Sequence, residues 1–183
     1  EPLQSKDTVA AYAEAGVTAF AMEFLPRISR AQSMDVLSSQ SNLAGYKAVI
    51  EAAAAFGKAF PMMMTAAGTI APAKVLVLGV GVAGLQAIAT ARRLGAVVSA
   101  FDVRLAAKEE AESLGAKFIE VISDETQSAE NKEGYAKEMS EEYKRKQSDL
   151  IHETLKSQDV VITTALIPGK PAPVLITEEM VKG

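Results

Sequence analysis

Short apolar runs alternate with amphipathic helical stretches along most of the sequence, from residue 74 onward. Four runs have the length and composition of buried strands: residues 74–78, 96–103, 117–122 and 160–164. Helical spacing of apolar positions occupies residues 82–94, 106–114 and 136–157. This alternation predicts an α/β fold, a Rossmann-like doubly wound parallel sheet with helices on both faces.

The first 60 residues have a different organisation. Helical spacing at residues 6–15 ends at Gly16, and an apolar run at residues 17–25 has the pattern of a strand. We interpret this pair as a remnant α–β unit, the C-terminal part of a preceding α/β domain that occupies residues 1–40. A long helix over residues 41–60, capped by Ser41 or Asn42, then connects the two domains.

Residues 61–183 form the second domain in this interpretation. We expect residues 61–72 to be a crossover loop, and the polar residues 123–133 have the composition of a mobile loop. The chain begins without a methionine and stops directly after a helical stretch at residues 177–182. We therefore expect a fragment of a longer protein, truncated within the C-terminal part of this domain.

Charge and composition exclude several functional classes. The 183 residues carry a formal net charge of −4, which argues against nucleic-acid binding, since that binding requires a basic stripe. The sequence contains no cysteine, which excludes disulfides, thiolate catalysis and cysteine metal sites. Its one histidine, His152, lies in a highly charged helical stretch, where we expect an exposed side chain and no metal site.

Residues 79–84, Gly-Val-Gly-Val-Ala-Gly, follow the first strand of the second domain and open the next helix; we call them the glycine turn. In a GxGxxG turn the first glycine permits a tight turn, and the second lets backbone N–H groups approach a pyrophosphate. The third allows close helix–strand packing, and the helix N-terminus supplies partial positive charge. The turn therefore predicts dinucleotide binding through Gly79, Gly81, Val82 and Gly84.

Asp102 ends the next strand, 18 residues after Gly84. A carboxylate there can accept hydrogen bonds from both ribose hydroxyls of NAD(H) and would repel the 2′-phosphate of NADP(H). Arg104 is ambiguous, because a nearby arginine can bind a 2′-phosphate and can equally be a surface cation. We give Asp102 the greater weight and predict an NAD(H) site that includes Asp102, Val103 and Arg104.

Three further segments give the sequence a specific resemblance. They are residues 26–39 (PRISRAQSMDVLSS), 134–139 (GYAKEM) and 164–173 (TALIPGKPAP). Together they resemble the NAD(H)-binding domain of proton-translocating NAD(P) transhydrogenases, and the resemblance covers essentially the whole chain. In that family the domain is peripheral, a membrane domain conducts protons and a third domain holds NADP(H).

The resemblance implies roles for residues in the first segment. Arg27, Gln32, Asp35 and Ser38 match the loop that orients the nicotinamide carboxamide and its ribose, and the first three are the candidate catalytic residues that position the ring. An Arg–Asp pair with an amide offers both donors and acceptors to a carboxamide, which needs both. The alternative is a polar interdomain turn with a local Arg–Asp salt bridge.

The other two segments match the mobile loop and the cleft of that family. Gly134 and Tyr135 are similar to the tip of a loop that closes over bound nucleotide; the alternative is an ordinary exposed tyrosine. The resemblance also implies that Gln147 and Leu166 line the cleft. Leu166 lies just past the carboxyl end of the strand predicted at residues 160–164, at the edge where open α/β sheets bind ligands. Core packing is its alternative.

The function that this resemblance implies is direct hydride transfer from NADH to NADP⁺ bound on a partner domain, coupled to proton translocation in the full complex. Such a transfer needs no acid–base residue, since no proton leaves a substrate hydroxyl. Expected partners are the NADP(H)-binding domain, the membrane domain and a second copy in a homodimer. We expect a peripheral location on the cytoplasmic face of a bacterial inner membrane, or on the matrix side in mitochondria.

Two alternatives stay open at this point. An alanine dehydrogenase-like enzyme shares the architecture, although that family does not resemble residues 27–35 or 134–139. A non-catalytic NAD-binding module would fit the glycine turn equally well, and only turnover separates it from an enzyme.

Overall fold

The computed structural model describes residues 5–26, 28–121, 123, 139–167 and 171–182. Its helices are α1 (Lys6–Glu14), α2 (Val36–Ala55), α3 (Val82–Arg93), α4 (Ala106–Ser113), α5 (Glu141–Leu155) and α6 (Glu178–Lys182). Its strands are β1 (Met63–Thr65), β2 (Gly68–Ile70), β3 (Lys74–Leu78), β4 (Val97–Phe101), β5 (Lys117–Ile119) and β6 (Val160–Thr163). Two 3₁₀ helices, Met22–Phe24 and Ser29–Met34, precede α2. Within these described ranges, no helix combines the length and apolar character that crossing a membrane requires.

A four-stranded parallel sheet forms the centre of the fold, with strand order β5-β4-β3-β6. Lys74 of β3 lies opposite Val97 of β4, and Val75 lies opposite Val160 of β6. The chain therefore moves outward from β3 to β4 and β5, and then crosses back to the other side of β3. This reversal is characteristic of a Rossmann-like sheet, so the predicted fold class is confirmed.

Side chains of β3 enter two separate cores, because successive residues of a strand point to opposite faces of the sheet. Val75 and Val77 belong to the core that contains buried residues of α3 and α4. Leu76 and Leu78 belong to the second core, together with Tyr143 of α5. Helices therefore cover both faces, which is the doubly wound arrangement.

The strands and helices predicted between residues 74 and 164 are present, with shorter bounds at several ends. The largest difference is at α5, which begins at Glu141 instead of residue 136. Ser140 caps this helix, because its Oγ accepts a hydrogen bond from the Tyr143 N–H at 3.2 Å. The predicted mobile loop, apart from Ser123, lies outside the described residues.

The strand predicted over residues 17–25 is wrong. Residues 17–21 have no regular structure, and Met22–Phe24 is a 3₁₀ helix. A strand needs a neighbour that pairs with its N–H and C=O groups, and no strand of the described chain pairs with this run. Its apolar side chains are exposed accordingly, with Phe20 at 85%.

Two further predictions in this region need correction. The long helix begins at Val36 instead of residue 41, because the Asp35 Oδ1 accepts a hydrogen bond from the Ser38 N–H at 2.9 Å and caps it. The predicted boundary after residue 40 therefore falls inside α2, while the division into domains stays a prediction. The predicted crossover loop at residues 61–72 contains an antiparallel hairpin, β1 with β2, whose residues are all exposed.

Candidate nucleotide-binding site

The glycine turn lies at the carboxyl end of β3, beside the point where the strand order reverses. Gly79 has a φ of +94°, and a Cβ added there would come 2.8 Å from the backbone nitrogen of Ala165. The Gly79 N–H donates to the Phe101 carbonyl at 2.8 Å, which ties the start of the turn to β4. Conformation and space therefore both require glycine at this position.

Gly81 and Gly84 occupy very different surroundings. A Cβ at Gly84 would come 1.9 Å from the Gly79 carbonyl oxygen, so the third glycine allows α3 to pack against the turn. Gly81 is the N-cap of α3, and a Cβ there would meet nothing within 4 Å. The second glycine therefore leaves open space in front of the helix N-terminus, which is where the backbone can approach a phosphate.

Thr164 holds the end of β6 against the glycine turn. Its Oγ1 donates a hydrogen bond to the Gly79 carbonyl oxygen at 2.7 Å. No role for this residue was predicted from the sequence, where Thr164 is the last residue of the fourth predicted strand and the first of the segment 164–173.

Asp102 connects β4 to the glycine turn. Its side chain is buried, and its Oδ2 accepts a hydrogen bond from the Val80 N–H at 2.8 Å. Arg104 pairs with the same carboxylate through Nε to Oδ1 at 3.0 Å and Nη2 to Oδ2 at 2.9 Å, and its Nη2 also donates to the Val80 carbonyl at 3.2 Å. The interpretation of Arg104 as a surface cation is therefore wrong, because its guanidinium lies against Asp102 with the side chain 19% exposed.

The candidate nicotinamide residues border a cavity of about 420 Å³. It is lined by Leu25, Pro26, Ile28, Ala31, Gln32, Asp35 and Ser38. The Ser38 hydroxyl donates to Asp35 Oδ2 at 2.6 Å, so the cap of α2 is also one wall of the cavity. The structure thus brings Gln32, Asp35 and Ser38 together, while Arg27 lies outside the described residues.

The remaining predicted residues are placed as follows. Gln147 is buried on α5, one helical turn from Tyr143, whereas Leu166 is 62% exposed just beyond β6. The core-packing interpretation of Leu166 is therefore wrong for the described part of the chain. Gly134 and Tyr135 lie outside the described residues, and Val103 is partly buried beside Asp102.

The structure also describes the surroundings of the single histidine. His152 is exposed on α5, as expected for a charged surface helix. Among the residues that the structure describes, no three His, Asp or Glu side chains lie together as a metal ion would require.

The sequence of the chain matches the models of a known protein family. The sequence model of the alanine dehydrogenase/PNT C-terminal domain matches residues 48–183, and that of the N-terminal domain of the same family matches residues 1–44. The chain belongs to this family. Within it, similarity to the α subunit of NAD(P) transhydrogenase confirms the resemblance predicted from residues 26–39, 134–139 and 164–173.

Three members illustrate that similarity. The first part of the NAD(P) transhydrogenase alpha subunit of Rhodospirillum rubrum is 65% identical over 98% of this chain and 47% of its own length. A crystal structure of transhydrogenase from Sinorhizobium meliloti has a TM-score of 0.85 and 59% identity, over 98% of this chain and 47% of that one. An L-alanine dehydrogenase has a TM-score of 0.65 at 23% identity, over 98% of this chain and 44% of its own, and this likeness shows the fold alone. The chain thus spans about half the length of the relatives that it matches.

Proposed function

We propose that this chain is the NAD(H)-binding part of a nicotinamide nucleotide transhydrogenase, in which NADH bound here transfers hydride directly to NADP⁺ bound on a partner domain. The observation that carries the proposal is the Asp102 carboxylate held against the glycine turn by the Val80 N–H, at 2.8 Å. An NAD(H) site needs a glycine turn for the pyrophosphate and a carboxylate for the ribose hydroxyls, and both lie here at one edge of the sheet. The similarity to named transhydrogenase subunits supports the choice of reaction.

The glycine turn would hold the pyrophosphate. Open space at Gly81 lets the phosphates approach the N-terminus of α3, whose N–H groups and dipole favour negative charge. Asp102 would accept hydrogen bonds from the ribose hydroxyls by exchanging those that it now receives from Arg104. Val82, Val103 and the displaced Arg104 would then surround the adenosine half.

The cavity beside α2 would hold the nicotinamide. Gln32, Asp35 and Ser38 supply polar groups for the carboxamide and ribose, with Arg27 as a further donor, while Leu25 and Ile28 provide apolar lining. Transfer requires the two nicotinamide C4 atoms to approach to roughly 3–3.5 Å with water excluded. We therefore propose that the NADP(H)-binding domain covers this cavity in the productive complex.

The wider assembly belongs to the same proposal. Gly134 and Tyr135 would close over the nucleotide, and Gln147 and Leu166 would line the cleft. The Rhodospirillum relative is named as one portion of an alpha subunit, which supports the presence of further subunits. We propose that these include the NADP(H)-binding domain and a proton-conducting membrane domain, with this chain in a homodimer peripheral to the membrane, on its cytoplasmic or matrix side.

The first prediction concerns nucleotide choice. NADH should bind at least about tenfold more tightly than NADPH, because a 2′-phosphate would meet the Asp102 carboxylate. Asp102→Ala should narrow that preference to a fewfold, because Arg104 then becomes available to the 2′-phosphate. Titration calorimetry with both nucleotides measures the ratio, and equal affinities in the unsubstituted protein would contradict the assignment.

The second prediction concerns the reaction. The full-length protein that contains this chain, mixed with an NADP(H)-binding partner domain, should reduce an NADP⁺ analogue at the expense of NADH. The same preparation should not oxidise NADH with pyruvate and ammonium, the acceptors of an alanine dehydrogenase. Oxidation of NADH with pyruvate and ammonium, without reduction of the NADP⁺ analogue, would support the alanine dehydrogenase alternative. Nucleotide binding without either turnover would support a non-catalytic module.

A further inference from the structure

A glycine in the middle of α2 lies against the helix that follows the glycine turn. Gly45 is buried, and a Cβ built on it would come 2.0 Å from the carbonyl oxygen of Ala83, in the first turn of α3. The carbonyl carbon and Cα of Ala83 would be 2.8 and 3.0 Å away. Glycine inside a helix is unfavourable relative to alanine, so its use here indicates that the two backbones must approach closely.

A second contact joins the same two helices. Asn42 Nδ2 donates a hydrogen bond to Gln86 Oε1 at 3.1 Å. Asn42 precedes Gly45 by three residues, and Gln86 follows Ala83 by three, so the two contacts share one face of each helix. Together they define where α2 sits along α3.

α2 also connects the two parts of the proposed site. Asp35 caps its N-terminus and Ser38 lies in its first turn, and both residues line the cavity. Gly45 follows Asp35 by ten residues, about 15 Å along the helix axis, and contacts the helix whose N-terminus faces the proposed pyrophosphate position. A dinucleotide that reaches from the glycine turn to the cavity therefore spans the α2–α3 contact.

We infer that Gly45 is a positioning residue: its contact with Ala83 sets the separation between the nicotinamide cavity and the glycine turn. This inference rests on the proposed function, because it assumes that one NADH molecule occupies both places. It assigns Gly45 no contact with the nucleotide.

A side chain at position 45 would force the backbones of α2 and α3 apart, and within the described residues α3 is the more extensively buried of the two helices. α3 has five buried residues among its twelve, whereas α2 has two among its twenty, Gly45 and Val49. Moving a Cβ from 2.0 Å to an ordinary contact distance of at least 3.4 Å requires a relative shift of more than an ångström. Misplacement on that scale near a bound substrate is enough to change binding and rate strongly.

The test compares NADH with 5′-ADP in the full-length protein that contains this chain. ADP would occupy only the part of the site at the glycine turn. The ratio of NADH affinity to ADP affinity therefore measures how much the cavity beside α2 contributes to binding. In Gly45→Ala we expect NADH affinity to fall at least about tenfold while ADP affinity changes less than about twofold. Equal losses for both ligands, or no loss for either, would overturn the inference.

Val49→Ala is the matched control on the same helix. It removes buried side-chain volume without adding an atom at the α2–α3 contact, so it should lower the melting temperature and leave the NADH-to-ADP ratio unchanged. If Gly45→Ala does not fold, Asn42→Ala provides the test. Loss of the hydrogen bond to Gln86 should lower the ratio of NADH affinity to ADP affinity about two- to threefold. An unchanged ratio in Asn42→Ala would overturn the inference.

The unsubstituted protein separates this inference from the proposed function. If it binds NADH no more tightly than ADP, the two-part site itself is contradicted, whatever the variants do. If it prefers NADH and Gly45→Ala keeps that preference, only the role of Gly45 fails.

Discussion

Gln32→Asn is expected to slow single-turnover hydride transfer about tenfold to a hundredfold while leaving the affinity for NADH nearly unchanged. The substitution keeps the amide and shortens the side chain by one methylene. Gln32 borders the cavity proposed for the nicotinamide, whereas the phosphate contacts belong to the distant glycine turn. The loss should therefore affect the alignment of the reacting rings more than the binding of the ground state.

Two other substitutions frame this measurement. Gln40→Asn makes the same chemical change at an exposed position of α2 that does not line the cavity, and should transfer hydride at the parental rate. Arg27→Ala should weaken NADH binding as well, because it removes the donor proposed for the carboxamide. Parental transfer by Gln32→Asn, with normal NADH binding, would show that Gln32 is only a polar residue in an interdomain turn.

Gly84→Ala is expected to lower the free energy of unfolding by about 2–3 kcal/mol, whereas Gly81→Ala should change it by less than about 1 kcal/mol. A Cβ at Gly84 would come 1.9 Å from the Gly79 carbonyl oxygen, and backbone atoms cannot move aside cheaply. A Cβ at Gly81 would meet nothing within 4 Å, and its φ of −84° suits any residue.

The effects of these two substitutions on NADH affinity should not follow their effects on stability. Gly81→Ala places a methyl group in the space proposed for the pyrophosphate, so a protein of nearly parental stability should bind NADH poorly. Urea titrations and calorimetry on both variants provide the comparison. Similar stability losses for the two variants would contradict the geometry described for the glycine turn.

The strands and helices between residues 74 and 164 were predictable because their local and tertiary signals agree. The strand at residues 74–78 has the predicted bounds, since its buried residues are continuously apolar and Gly79 must follow at the turn. The end of α3 could also be predicted, because Gly95 comes directly after its last turn. The spacing between Gly84 and Asp102 predicted an acidic side chain beside the glycine turn, where the Val80 N–H does donate to Asp102, while nucleotide binding there stays a prediction.

The N-terminal region was less predictable because its structure depends on neighbours and on capping. The apolar run at residues 17–25 has strand composition, yet no strand of the described chain pairs with it. The start of α2 depends on the Asp35 carboxylate, which caps the helix. The family resemblance had suggested a role for Asp35 in nucleotide binding and not in capping. The exposed hairpin of β1 and β2 lies where only a loop was expected.

Side-chain pairing within the site could not be read from the sequence. Asp102 and Arg104 are two residues apart, but their salt bridge depends on a backbone bend that also lets Arg104 reach the Val80 carbonyl. The close approach of Gly45 to Ala83 joins helices that are separated in sequence by the hairpin and β3. The candidate nicotinamide residues were assigned from a family resemblance, because their pattern alone also fits a polar turn.

The central claim is that hydride passes directly between the two nucleotides, and isotope tracing tests it most directly. The full-length protein with its NADP(H)-binding partner is given NADH carrying two deuterium atoms at nicotinamide C4, together with an NADP⁺ analogue, in ordinary water. The reduced analogue should carry one deuterium per molecule, and unlabelled NADH in heavy water should give a product without deuterium. Product that takes its hydrogen from the solvent, or an unreduced analogue in the presence of both bound nucleotides, would contradict the account.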